Sequence, residues 1–293
     1  MKKIITLLSI SLAWAADGPK IYISSDMEGV VGAVTGEQLG PSGFEYQRFR
    51  EFMTAEVNAA IEGARSAGAG EILVADSHGN GQNLLIDKLP KDVKIVRSWP
   101  RPLGMVGGLD DSFDGVIFLG YHASTDNLTG VRAHTFSSAR LTSVKLNGTP
   151  VTEGAWNAAI AGELGVPVIM VAGDDATVEE VSSLVGNVEG AVVKWALSFH
   201  SATTLQPEAA YDLIRDKAAK AVKNIKKYKP YIVKKPITVE MGFKNYRPVQ
   251  VLSYLSIFER TGSHNIRFSA KTMEEASRIE TFILTYNGGN STP

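Results

Sequence analysis

The sequence predicts an α/β protein: a mostly parallel sheet with flanking helices, followed by a smaller α+β C-terminal domain. Three observations carry this expectation. Apolar, often β-branched runs at Ile21–Ile23, Glu71–Ala75, Gly115–Leu119 and Val166–Val171 each stop at a polar cluster, as strands buried on both faces do. Helically spaced stretches lie between them, and a strand–helix–strand order at these lengths implies right-handed parallel crossovers. Beyond about Gly190 the alternation lapses into a lysine-rich helical stretch and isolated strands.

The first fifteen residues, MKKIITLLSISLAWA, have the pattern of an export signal: Lys2 and Lys3, an apolar run from Ile4, and Ala13-Trp14-Ala15 as a small-x-small cleavage site. The run Ile4–Ala15 falls short of the ~20 residues of a spanning helix, so cleavage is expected, with a periplasmic or secreted product and no stable membrane association afterwards. Next, KIYISSDMEGVVG (Lys20–Gly32) reads as a buried strand delivering Asp26 and Glu28 to its own C-terminal end. Apolar residues at Phe49, Phe52, Met53, Val57, Ile61 and Ala64 predict a helix within Phe44–Ala67, closed by Gly68 and Gly70. The strand Glu71–Ala75 leads into Asp76-Ser77-His78-Gly79, and a short strand is expected at Val93–Val96. Gly115–Leu119 leads into Gly120-Tyr121-His122, and His134 follows a polar loop. Asn147-Gly148 after Ser143–Leu146 signals a hairpin. A helix opens at Glu153, a strand at Val166–Val171 ends in Asp174-Asp175, and a helix follows at Thr177–Leu184. The rest contains a helix at Pro207–Lys229, strands at Ile237–Met241 and Ile266–Ser269, and a last helix at Thr272–Tyr286. This divides the chain into a signal (1–15), an α/β domain (17–190) that holds the strand-end acids and histidines, and a smaller α+β domain (191–287) for packing, assembly or substrate enclosure.

Composition narrows the function. With 293 residues, 44% hydrophobic and 21% charged, the chain can bury one large core or two smaller ones. Thirty basic against thirty-one acidic side chains leave a net charge of −1, or near −3 once the two signal lysines are removed, so neither nucleic acid nor an anionic membrane is drawn to the whole chain. The absence of cysteine excludes disulfides, a thiol nucleophile and thiolate zinc sites.

Three strands end in acids or histidines: Asp26/Glu28, Asp76/His78 and His122. Ligands in open α/β sheets bind at the carboxyl ends of strands, so this placement points to chemistry. Asp26 and Glu28 lie on one side of an extended backbone, and two close carboxylates repel unless protonated or bridged by a cation. A cation accounts for the histidines as well; an acid–base pair of the glycosidase kind leaves them without a role. Asp76 suits orientation or the sheet interior better than ligation, Asp174 and Asp175 suit helix capping, and His200 and His264 have no such context.

The motifs SDMEG (Ser25–Gly29), DSHG (Asp76–Gly79), LGYHA (Leu119–Ala123), Gly130-Val131 with His134, PVTEG (Pro150–Gly154) and VAGDD (Val171–Asp175) occur in that order through most of the chain, and together resemble the zinc-dependent D-aminopeptidases. The resemblance implies that Asp26, Glu28, His78, His122 and Glu153 bind two zinc ions per subunit with Asp26 bridging, and that His134 is catalytic. It also implies a homodecamer with an inner channel that releases N-terminal D-amino acids from short peptides such as D-Ala-D-Ala. Spacing alone assigns Glu153 no more than a favourable charge at a helix start. The residue pattern itself leaves open a metal amidohydrolase acting on L-peptides or other amides, a non-enzymatic periplasmic binding protein, and manganese, cobalt or iron in place of zinc.

Overall fold

A computed structural model describes residues 18–286, and the segment 1–15 lies outside them. In chain order, β1 (Ile21–Ser25), α1 (Tyr46–Ser66), β2 (Ile72–Asp76), β3 (Lys94–Val96) and β4 (Gly115–Tyr121) lead to a hairpin of β5 (Leu141–Leu146) and β6 (Thr149–Pro150). Then come α2 (Glu153–Glu163), β7 (Val168–Asp174), α3 (Asp175–Val185), β8 (Glu189–Ser198), β9 (Ser201–Thr204) and α4 (Pro207–Lys223). The chain continues through β10 (Ile237–Phe243), α5 (Tyr246–Leu252), β11 (Glu259–Arg260), β12 (Asn265–Ala270) and α6 (Met273–Thr285).

The main sheet has the order β3-β2-β1-β4-β7-β8-β9, parallel throughout except for the antiparallel edge strand β9. A second, antiparallel sheet has the order β11-β12-β10-β5-β6. The fold is therefore a mostly parallel sheet with helices plus an antiparallel sheet. Alternation along β1 explains how the layers join. Ile21 and Ile23 face one core with Met53, Val57 and Ile61 of α1 and Ile214 and Ala218 of α4. Tyr22, between them, enters the other core with Trp156 and Ile160 of α2 and with Val144, Val239 and Phe268 of the second sheet.

Chain position and sheet membership differ in two places. The boundary expected at 190/191 falls within β8, which pairs parallel with β7, while α4 packs on α1 beside the main sheet. Conversely, the hairpin β5–β6 belongs to the second sheet through β10, with Asn147 and Gly148 both at positive φ (48° and 83°), as a tight two-residue turn requires. Among the described residues no helix is long and apolar enough to cross a membrane.

Candidate metal centre

The carboxyl ends of β1, β2 and β4 meet above the main sheet, and the start of α2 closes on them from the side. Asp26 and Glu28 follow β1, His78 follows β2, His122 follows β4, and Glu153 is the first residue of α2. Thr152 caps that helix by accepting from the Ala155 N–H at 2.8 Å, which aims Glu153 inward. All of these side chains, and His134, are buried and line one cavity of about 290 Å³.

Two glycines make the convergence possible. The Gly29 N–H donates to the Gly120 carbonyl at 2.7 Å, and a Cβ on Gly29 would stand 2.0 Å from the Tyr121 carbonyl oxygen. Gly120 has φ +66°, and a Cβ there would stand 2.1 Å from the Asp26 carbonyl oxygen. From behind, the buried Lys194 ammonium donates to the carbonyl oxygens of Glu28, Val30 (3.0 Å) and Ala33 (2.6 Å). The loop bearing His134 is tied down by a Val131 N–H donating to Asp174 at 2.6 Å and by the His134 N–H donating to the Ala123 carbonyl at 2.9 Å.

Asp26 stands between two histidines: its Oδ1 is 3.1 Å from His78 Nδ1 and its Oδ2 is 3.3 Å from His122 Nε2. Glu28 Oε2 approaches the same His78 nitrogen at 2.8 Å, and Glu153 Oε2 approaches the same His122 nitrogen at 3.4 Å. The far nitrogen of each ring is anchored on a main-chain carbonyl, His78 Nε2 on Leu39 (2.7 Å) and His122 Nδ1 on Ala123 (3.1 Å). These anchors take up the ring N–H groups and turn bare nitrogens toward the carboxylates. Something positive must stand between them, either a proton on each ring or a metal ion. Protons serve poorly, because the buried Asp26 Oδ2 and Glu28 Oε2 remain without a hydrogen-bond partner even with the imidazoles this near. Lone pairs converging on common points are what a hard-to-borderline divalent ion needs, and the donor set of imidazole and carboxylate fits zinc.

The electrostatics carry the same strain. Burial, then the Glu28 charge, push the Asp26 carboxyl up to about 6. Burial opposes ionisation of Glu28 too, but His78 and the other histidines hold its pKa well below the usual carboxylate range. His78 and His122 are raised well above an ordinary imidazole: burial disfavours their charge, and the facing carboxylates outweigh it. His134 goes the other way, lowered by burial and by the His122 charge. Its ring stacks on His122 at 4.0 Å between centroids, its Nδ1 is bonded to the Arg132 carbonyl at 2.7 Å, and its Nε2 lies 4.0 Å from Glu28 Oε1.

A family model described as D-aminopeptidase, Peptidase M55, matches residues 20–282. The chain belongs to this family. A D-aminopeptidase of Bacillus subtilis (strain 168) is 36% identical over 258 residues, covering 88% of this chain and 93% of that relative. The solved structure of the Zn-dependent D-aminopeptidase DppA from Bacillus subtilis, described as a self-compartmentalizing protease, superposes with a TM-score of 0.88 at 34% identity, covering 94% of this chain and all of that one. This M55 chain is thus a peptidase, and two buried groups in it, Asp26, Glu28 and His122, and His122, His134 and Glu153, offer ligand atoms close enough together to hold a metal ion.

All six residues singled out from the sequence are brought together. Asp76 is not part of the cluster; its carboxylate accepts from Asn83 and Leu84 and shapes the loop carrying His78. Asp174 caps α3 by accepting from the Thr177 N–H at 2.8 Å, and Asp175 accepts from the Ala196 N–H at 3.0 Å. His200 and His264 lie outside the cavity, the former beside Arg132 and the latter beside Ser263. Lys194 and Glu280 were not anticipated. The signal for Lys194 was a lysine inside the apolar run AVVKWAL; for Glu280 it was a carboxylate on the buried face of α6, with Met273, Ala276 and Ser277.

Proposed function

We propose that this peptidase is a di-zinc D-aminopeptidase releasing the N-terminal D-residue from short peptides such as D-Ala-D-Ala. The observation that carries the di-zinc reading is the position of Asp26, whose Oδ1 lies beside the His78 nitrogen that Glu28 also approaches and whose Oδ2 lies beside the His122 nitrogen that Glu153 also approaches. Asp26, Glu28 and His78 would hold one ion, and Asp26, His122 and Glu153 the other. Three carboxylates against two divalent ions leave a net positive centre. Bound zinc supplies Lewis acidity that polarises a peptide carbonyl and acidifies water. His134 handles the proton: its Nδ1–H is held by the Arg132 carbonyl, which leaves Nε2 bare, and that nitrogen faces the cavity to take a proton and return it to the leaving amine. The D preference rests on the family and on both relatives, whose printed activity is D-aminopeptidase.

Assembly as a homodecamer is part of this proposal. It is supported by the self-compartmentalizing description of DppA and by exposed apolar side chains, Trp195 and Leu197 on β8 and Tyr254 and Leu255 after α5, of the kind subunit contacts cover. Native mass measurement tests it. Export to the periplasm, with cleavage after Ala15 or Ala16, is likewise proposed from Lys2, Lys3 and Ala13-Trp14-Ala15, and N-terminal sequencing of the cellular protein tests it.

The activity is tested by incubating the purified protein with D-Ala-D-Ala, L-Ala-L-Ala and the mixed dipeptides, with and without a chelator. Chelator-sensitive release from peptides with an N-terminal D-residue is expected. Preference for an N-terminal L-residue, or turnover indifferent to complete metal removal, overturns the reading.

A further inference from the structure

The cavity at the metal centre has a second wall, built by α6, that carries none of the proposed metal ligands. Glu280 and Ser277 of this helix face the space that His122, His134 and Glu153 face from the main sheet and α2. Glu280 is only 8% exposed, and among the described residues it forms no ion pair with a Lys, Arg or His. Its one side-chain hydrogen bond is a 3.3 Å contact from the Thr281 hydroxyl. Arg140, the cation on the same cavity, is spent elsewhere, donating through Nη1 to the Leu284 carbonyl at 2.6 Å and through Nε to Ser137 at 3.3 Å. Burial, with the Glu153 charge adding to it and the Thr281 hydrogen bond and Arg140 opposing it, pushes the Glu280 carboxyl up to about 8. Metal ions would neutralise Asp26, Glu28 and Glu153, so Glu280 is the carboxylate lining this cavity that has neither a metal nor an ion pair, Arg140 acting on it only at longer range.

We propose that Glu280 is a specificity-determining residue that receives the α-ammonium of the substrate's N-terminal residue. This rests on the aminopeptidase reading, because it is an exopeptidase that must sense a free amino group one carbon away from the scissile carbonyl. The two surfaces of the cavity then divide the work: the main sheet presents the metal ligands to the carbonyl, and α6 presents a charge to the amine. An ammonium supplies the charge-assisted donor the carboxylate lacks, and an acylated or absent amine leaves it buried and unpaired.

The test compares two metal-chelating ligands, D-alanine hydroxamate and propionohydroxamate, which differ in the α-amino group alone, on the zinc-loaded wild type and on Glu280→Gln, by calorimetry. Wild type should bind the amino ligand at least about tenfold more tightly, and Glu280→Gln should cut that preference to less than about threefold while leaving propionohydroxamate affinity and zinc content unchanged. In turnover the same variant should raise KM for D-Ala-D-Ala more than it lowers kcat. An equal loss for both ligands, as from a merely structural role, or an undiminished amino preference overturns the assignment. If Glu280→Gln fails to fold, Glu280→Asp replaces it: the charge is kept but withdrawn by one methylene, so the preference should shrink, and an unchanged preference overturns the proposal. A wild type that discriminates the hydroxamates but cleaves no peptide overturns the aminopeptidase reading and leaves Glu280 as an amine receptor.

Discussion

Asp26 and Glu28 are two residues apart on one strand end, yet their surroundings make them unequal. Each oxygen of Asp26 faces a different histidine, whereas Glu28 faces His78 closely and His134 only at 4.0 Å. Removing a group shared by two ions disturbs both, and removing a ligand of one disturbs that one. Asp26→Ala should therefore lose nearly all bound metal, and Glu28→Ala about half, by elemental analysis of the purified variants. His134 differs from both, since its Nδ1 is committed to Arg132 and its pKa is lowered. His134→Ala should keep its metal and lose on the order of 100-fold or more in kcat. Metal loss in that variant would make His134 a ligand instead.

At the scale of elements, the site depends on how closely the end of β1 approaches the end of β4. A Cβ on Gly120 meets a main-chain oxygen, which cannot rotate away as a side chain could, and the residue has positive φ as well. Gly120→Ala should cost more than about 1 kcal/mol in urea unfolding and also lower metal content, because Asp26 and His122 must part to admit the methyl group. The same elements show what sequence could and could not reveal. β1, β2, β4 and β7 were legible because strands covered on both faces need unbroken apolar runs, and the acids and histidines stand where those runs stop. β8 was not, because its apolar run is interrupted by buried Lys194 and continues into exposed Trp195 and Leu197, so neither alternation nor a continuous core pattern marks it. β11 and α5 are too short to show a period. Glu153 reads locally as a residue that favours a helix start, and only the β4 end brought beside it gives its carboxylate another role. Glu280 occupies a core-facing position on α6, and three-dimensional proximity alone reveals that this core position opens on a cavity.

For the whole molecule, two buried ionisable groups that are not proposed metal ligands, Glu56 and Lys194, contribute opposite slopes to the variation of stability with pH. Glu56 on α1 is 1% exposed and accepts from the Val31 N–H at 2.9 Å, and burial pushes its carboxyl up to about 7. The unfolded chain releases that proton near 4.5, so between 4.5 and 7 the folded protein holds more protons than the unfolded one. Stability therefore falls as pH rises through this window, and the loss is complete above it. Lys194 acts at higher pH and in the opposite sense: burial lowers it to about 8 from 10.5, so the cost of its buried charge is present below 8 and is relieved as pH rises toward 10.5. Stability limited by these two groups should be lowest between about 7 and 8. Glu56→Gln keeps an acceptor for the Val31 N–H and abolishes the titration. Its Tm, at fixed zinc concentration and protein concentration, should match wild type at pH 4.5 and exceed it at pH 8. A variant that tracks wild type at both values, or falls below it at pH 8, would show that Lys194 already stabilises the Glu56 carboxylate enough to cancel its burial.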